Sequence, residues 1–196
     1  MSVERVKTEY TIIRSGRRSL GLNLDPKGRI VVRAPYLCPR SVIDRFVAEH
    51  SGWIEKQRAR LFSQAASSER AGMLSKEDTA RLSKLMKHSL PEKLAKYSKL
   101  LGVSYNRVSV RCQRSKWGSC SAKGNLNFNC LLMLAPEEVL DYVIVHELCH
   151  RRHMDHSKEF WAEVESVCPE YKAYRKWLRE NGGALMMRVE RGENDA

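Results

Sequence analysis

Apolar and polar positions alternate in three short runs near the start of the chain: Tyr10–Arg14, Ser19–Leu24 and Arg29–Arg33. A period of two predicts strands. Ser15-Gly16-Arg17-Arg18 and Asp25-Pro26-Lys27-Gly28 separate the runs and supply turn geometry, so a β-meander is expected, closed by Pro35 and Pro39. The period then changes. Ile43, Phe46, Val47, His50, Trp53, Ile54, Gln57 and Leu61 recur at three- and four-residue steps, predicting a helix capped by Ser41. The small and polar stretch Gln64–Gly72 reads as a linker, giving a basic N-terminal unit over 1–72 and a second unit over 73–196.

A second helical pattern starts near Ser75 and runs through Leu82, Leu85, Met86, Leu90, Leu94, Tyr97 and Leu101. Pro91 is expected to break it in two, and Gly102 to stop it. Arg107–Cys112 reads as a strand with Val108, Val110 and Cys112 on one face. A polar segment holding Trp117-Gly118-Ser119-Cys120-Ser121 follows, then Leu126–Leu134, which together predict a hairpin or meander. Pro136, with Glu137 and Glu138 behind it, opens a further helix with the acidic first turn that its dipole favours. No internal repeat occurs, and a short polar tail begins at Glu190.

The elements suit an α+β protein of 196 residues, long enough to bury a real core. No apolar run approaches the roughly 20 residues of a membrane span. The opening Met1–Lys7 has no apolar signal core, which makes the cytoplasm the expected compartment. Six cysteines stand at unrelated spacings with no C-x-x-C pair, a pattern of reduced core residues rather than a thiolate metal site. The 35 basic and 23 acidic side chains leave a net charge of +12. This excess is uneven: +7 over residues 1–72 (14 basic, 7 acidic), +9 over 73–135 (12 and 3), and −4 over 136–196 (9 and 13). The basic two thirds could meet a nucleic acid, a nucleotide or another anion.

Chemistry concentrates in the acidic third, at Tyr142-Val-Ile-Val-His146-Glu147-Leu-Cys-His150. On a helix His146 and His150 leave the same face one turn apart and can share one ion, with Glu147 beside them as a base. Two neutral nitrogen ligands, an open coordination position and a carboxylate form the zinc-hydrolase arrangement. The preceding turns, Val139–Val145, are almost wholly apolar, so the helix is expected to run through the core rather than along the surface. His153 lies seven residues beyond His146, about 10 Å along a straight helix, too far to share the ion. His156 stands six residues past His150, the interval of the extended pattern H-E-x-x-H-x-x-G-x-x-H, with His153 in the glycine slot. Its use requires the helix to end near Arg152 or His153 and Ser157 to cap the next one. Glu159 and Glu163 are competing third ligands, and an exposed loop histidine is the plain alternative for His156.

Arg114-Ser-Lys-Trp-Gly-Ser-Cys-Ser121, Asn127-Phe-Asn129, Leu132, Pro136, His146-Glu-Leu-Cys-His150, His156-Ser157 and Phe160-Trp161 together resemble the YgjP-like metallopeptidase family, itself related to the WLM and SprT-like zinc proteins. The likeness is densest from Arg111 to Trp161, and the β-rich start and the Trp53 helix also look like the family's N-terminal region. It implies a small zincin-like domain, a twisted sheet over an active-site helix, with zinc on His146, His150 and His156 and Glu147 as catalytic base. Arg151 departs from the apolar residue usual in that family after the second histidine.

The expected activity is zinc-dependent hydrolysis, first of peptide or protein substrates, with no membrane partner. A nucleotide phosphoanhydride substrate and a nucleic-acid-associated SprT-like protease are the competing expectations. Arg114, Lys116, Trp117 and Asn129 are candidate substrate contacts. Cys120 reads as part of a tight strand junction in which Gly118 permits close backbone approach, rather than as a nucleophile. Met186 and Met187 read as packing residues rather than as a methionine turn beneath the zinc.

Overall fold

The computed structural model describes residues 9–190; the first residues and the polar tail beyond Glu190 lie outside that range. Two compact units divide between Ser63 and Gln64, whereas the sequence pattern places the boundary after Gly72. The difference has a structural cause. Residues 64–71 are not a linker but the last turns of helix α2 (Ser51–Ala71). Gln64 Nε2 donates to the carbonyls of Arg179 (3.1 Å) and Glu180 (2.8 Å), and Arg188 Nε donates to Gly72 O (2.8 Å).

The first unit contains β1 (Tyr10–Ser15), β2 (Gly21–Leu24), β3 (Ile30–Pro35), α1 (Arg40–Glu49) and the start of α2. The sheet is not the expected meander. Its order is β1-β3-β2, with β1 parallel and β2 antiparallel to β3. Burial explains the arrangement: Ile30, Val32 and Ala34 of β3 are wholly buried, and a central strand is the one covered on both edges. They pack with Ile43, Val47 and Ile54 of the helices. Ser41 does not cap α1 but lies inside it; the helix begins at Arg40 with Pro39 in the cap position. His50 interrupts the expected single helix, its N–H turning back to Val47 O (3.2 Å).

The second unit is a three-stranded sheet among helices. Helix α3 (Lys76–Leu101) opens on a reciprocal capping box, Asp78 N–H donating to Ser75 Oγ (3.0 Å) and Ser75 N–H to Asp78 Oδ2 (3.1 Å). It stops at Gly102, whose φ of +61° only glycine adopts cheaply. Pro91 does not break it. The proline forfeits one backbone hydrogen bond, but Met86, Leu90 and Leu94 are buried on either side of it and hold the helix through the defect. β4 (Val108–Arg111) runs parallel to β6 (Leu126–Asn129), and β5 (Gly118–Cys120) pairs antiparallel with β6, giving the order β4-β6-β5. Beyond Asn129 the expected strand becomes a 3-10 turn over Cys130–Leu134, because the Asn129 side chain accepts Leu131 N–H (3.1 Å) and bends the chain.

Helices α4 (Glu137–Cys149), α5 (Lys158–Val167) and α6 (Tyr171–Met187) complete an α+β unit. Val139, Leu140, Val143, Ile144 and Leu148 of α4 are buried with Leu94, Phe128, Phe160 and Val164. Helix α4 thus runs through the core, as its apolar turns require. No helix among the described residues is long and apolar enough to cross a membrane.

Candidate active site

Helix α4 carries His146 and Glu147 in its last turn and ends at Cys149, with His150 as the capping residue. The chain then turns back, and Ser157 Oγ accepts Phe160 N–H (3.3 Å) to start α5. That places His156 at the junction, against the end of α4. The potential ligand nitrogens of His146, His150 and His156 lie within 4.8 Å of one another, and the Nε2 atoms of His146 and His156 are 3.2 Å apart.

The turn needs no glycine. His150 Nδ1 meets the carbonyl of His153 at 2.8 Å, so the residue in the glycine slot of the extended pattern contributes its backbone oxygen. A carbonyl can only accept; Nδ1 therefore carries the proton and Nε2 presents its lone pair. The His153 ring is drawn away to Glu163 (3.5 Å), which also pairs with Arg152. Glu159 is exposed. Neither glutamate joins the three-histidine group.

Such a donor set fits a divalent metal ion. Ligation requires neutral imidazoles, and burial favours that form at His146 and His156. Burial first, then the charges of His150 and His156, pushes His146 down to about 3. His156 is lowered for the same leading reason. The Phe160 ring stacks on His150 (centroids 4.6 Å, 28°) and Trp161 on His156 (5.7 Å, 28°). Trp161 is in turn stacked on Tyr171 (5.2 Å) and covered by the Arg175 guanidinium (4.7 Å). The supporting stack of Tyr171 and Arg175 escaped sequence reasoning. Nothing in the spacing of residues on α6 points to a site on α4 and α5.

Glu147 is 5% exposed and lies against β5. A Cβ on Gly118 would come 2.7 Å from Glu147 Oε1, so the strand approaches the carboxylate as only glycine allows. Burial pushes the Glu147 carboxyl up to about 8, against the opposing pull of Lys116. Of the four candidate substrate contacts, Lys116 alone is exposed. Arg114 Nη1 donates to Val189 O (3.0 Å), and Trp117 lies against Gly182 of α6. Asn129 is wholly buried, its amide donating to Gln113 O (2.7 Å) and Lys116 O (2.8 Å). It shapes the loop that carries Lys116. Burial raises the Cys120 thiol, the opposite of nucleophilic activation. Met186 packs with Leu74 and Leu131. Arg151 finds polar partners in place of apolar packing, donating to Ser104 O (2.9 Å) and Ala122 O (3.3 Å).

A family model described as YgjP-like, metallopeptidase domain, matches residues 18–81 and 74–181. The chain belongs to this family. It is therefore a metallopeptidase domain, a metal-dependent hydrolase, and the match spans both units. Among solved structures, the zymogen of the metallopeptidase abylysin from Pyrococcus abyssi is 27% identical, covering 47% of this chain and 97% of its own at a TM-score of 0.42. The jannalysin zymogen of Methanocaldococcus jannaschii is 21% identical, covering 45% and 95% at 0.40. Among curated proteins no relative matches.

Proposed function

We propose that the chain is a zinc-dependent peptidase in which His146, His150 and His156 hold the metal and Glu147 is the general base. The convergence of three imidazoles, His150 buried, His146 half-buried and His156 exposed, with the His150 tautomer fixed by His153 O, carries this reading. Zinc held there supplies Lewis acidity toward the scissile carbonyl and toward water. Glu147 takes the proton from the attacking water and delivers it to the leaving amine. Its burial suits the task, since a carboxylate with raised proton affinity is a better base and, once protonated, an acid near neutral pH. β5 is an edge strand, so its outer backbone groups are open to an extended peptide that pairs with it above Glu147.

The test compares two variants. Glu147→Gln retains the metal and loses at least about a hundredfold in peptide turnover, the loss expected of a missing acid–base group. His150→Ala loses both. Metal content by elemental analysis and cleavage of unfolded protein and short peptides, with nucleotides run in parallel, supply the readout. A purified chain that binds no zinc, or a fully active Glu147→Gln, defeats the reading.

A further inference from the structure

The sheet of the second unit has one face on the helical core, and among the described residues no helix lines the cleft on the other. Register puts Ser109, Asn127 and Ser119 in one row across β4, β6 and β5 on the outer face. A cleft of about 540 Å³ opens there, bounded also by Arg111, Gln113 and Lys116. Its inventory is one-sided. No Asp or Glu lines it among the described residues, and neither Arg111 nor Lys116 forms a salt bridge among them. Both cations are exposed, while Ser109 Oγ is spent locally on Asn127 Oδ1 (3.1 Å). Two cations without an ion-pair partner among the described residues, over a floor of hydroxyls and amides, attract an anion.

The identity of the anion follows from where the cleft lies. It adjoins β5, whose far edge pairs with no strand among the described residues and whose Gly118 faces Glu147. A peptide paired with β5 directs alternate side chains to the Glu147 face and to the Ser119 face. The second set points over the sheet face toward Lys116, which precedes β5, with Arg111 further across the cleft on β4. Single-stranded nucleic acid is the weaker occupant, because among the described residues no aromatic ring lines the cleft to stack a base. We infer that this cleft is a selectivity subsite that recruits acidic side chains of the peptide substrate through Arg111 and Lys116. The inference rests on the peptidase reading.

The experiment measures binding without turnover. Full-length Glu147→Gln, loaded with zinc, is titrated against a fluorescein-labelled alanine-rich peptide carrying a Glu-Glu-Glu run and against its Gln-Gln-Gln counterpart, with anisotropy as readout. The acidic peptide should bind about fivefold more tightly, the scale of two exposed ion pairs, and lose that advantage in high salt. Arg111→Gln with Lys116→Gln should abolish the preference, whereas Lys176→Gln on the exposed face of α6 should leave it intact. Equal affinity for the two peptides, or a preference that survives the double variant, overturns the assignment. An unlabelled single-stranded DNA oligonucleotide that displaces the acidic peptide, and no longer does so in the double variant, overturns it in favour of nucleic acid. Cleavage by the otherwise unaltered chain separates the two levels: both peptides cut at equal rate and bound equally defeats the subsite alone, and neither peptide cut defeats the peptidase reading beneath it.

Discussion

Gly118 shows how closely β5 is set against Glu147, the proposed base. Its backbone needs no special φ; the constraint is space, since an added Cβ would meet Glu147 Oε1, Cγ and Cδ between 2.7 and 2.9 Å. Helix α4 is anchored by buried residues along its length, so the carboxylate rather than the helix must yield. Gly118→Ala is therefore expected to keep the metal while lowering kcat by about ten- to a hundredfold, the effect of an ångström-scale misplacement. Its stability cost should be about 1–3 kcal/mol from overpacking. Steady-state kinetics beside elemental analysis checks it; a fully active variant would show that the carboxylate has room to spare. At this scale the sequence was legible wherever spacing carries geometry. His146, Glu147 and His150 share a helical turn by arithmetic alone. Asn129 shows the limit, since an asparagine in a polar stretch reads as a substrate contact until its amide is seen to be spent on Gln113 and Lys116 carbonyls.

Helix α4 is fixed to α3 by a polar network at the edge of the core. Lys93 Nζ donates to Glu137 Oε1 (2.5 Å) and Asp141 Oδ1 (2.7 Å), and Tyr97 Oη donates to Asp141 Oδ2 (2.8 Å). Lys93 and Asp141 are 16% and 22% exposed, enough burial for the pair to matter. Lys93→Met is expected to cost about 1–2 kcal/mol, mainly by leaving Asp141 underpaired. The pH dependence has a definite sign. Lys93 holds the exposed Glu137 below the usual carboxylate range, so this contribution is present above the unfolded pKa and fades as pH falls through the folded one. Burial would lower Lys93, but its bonds to Asp141 and Glu137 outweigh that and raise it; its contribution is full below the unfolded value and fades only as pH rises through the folded one. Urea unfolding should give a constant gap between wild type and Lys93→Met from about pH 6 to 9, closing below about pH 4. A gap that widens in acid contradicts the network. Elements were less legible than residues for a related reason. Local rules place a stop at Pro91 and a strand at Cys130–Leu134, whereas packing around Met86, Leu90 and Leu94 and the Asn129 side chain decide otherwise.

For the whole molecule, spacing anticipated the grouping of His146, His150 and His156 but not the seam. A run of small and polar residues looks like a linker, yet Gln64, Gly72 and Leu74 are bound to α6 and the residues after it through Arg179, Glu180 and Arg188. Those bonds span more than a hundred positions, a separation that no local pattern reports. Strand order was hidden likewise, because alternation marks β1, β2 and β3 as strands but does not say which is central. The seam makes a prediction that distinguishes the two boundaries. Every residue of the proposed metal centre and the acidic-substrate cleft lies within 64–196, so a chain beginning at Gln64 should fold, hold one zinc and cleave peptide. A chain beginning at Met73 lacks the helical turns that carry Gln64 and the buried Ser68, and leaves the Arg179 and Glu180 carbonyls without their donor. With two such bonds and the packing of a helical end removed, it should be less stable by about 2–4 kcal/mol. Urea midpoints and zinc content of the two fragments decide the matter. Equal stability would return the boundary to Gly72 and make residues 64–72 dispensable to the catalytic unit.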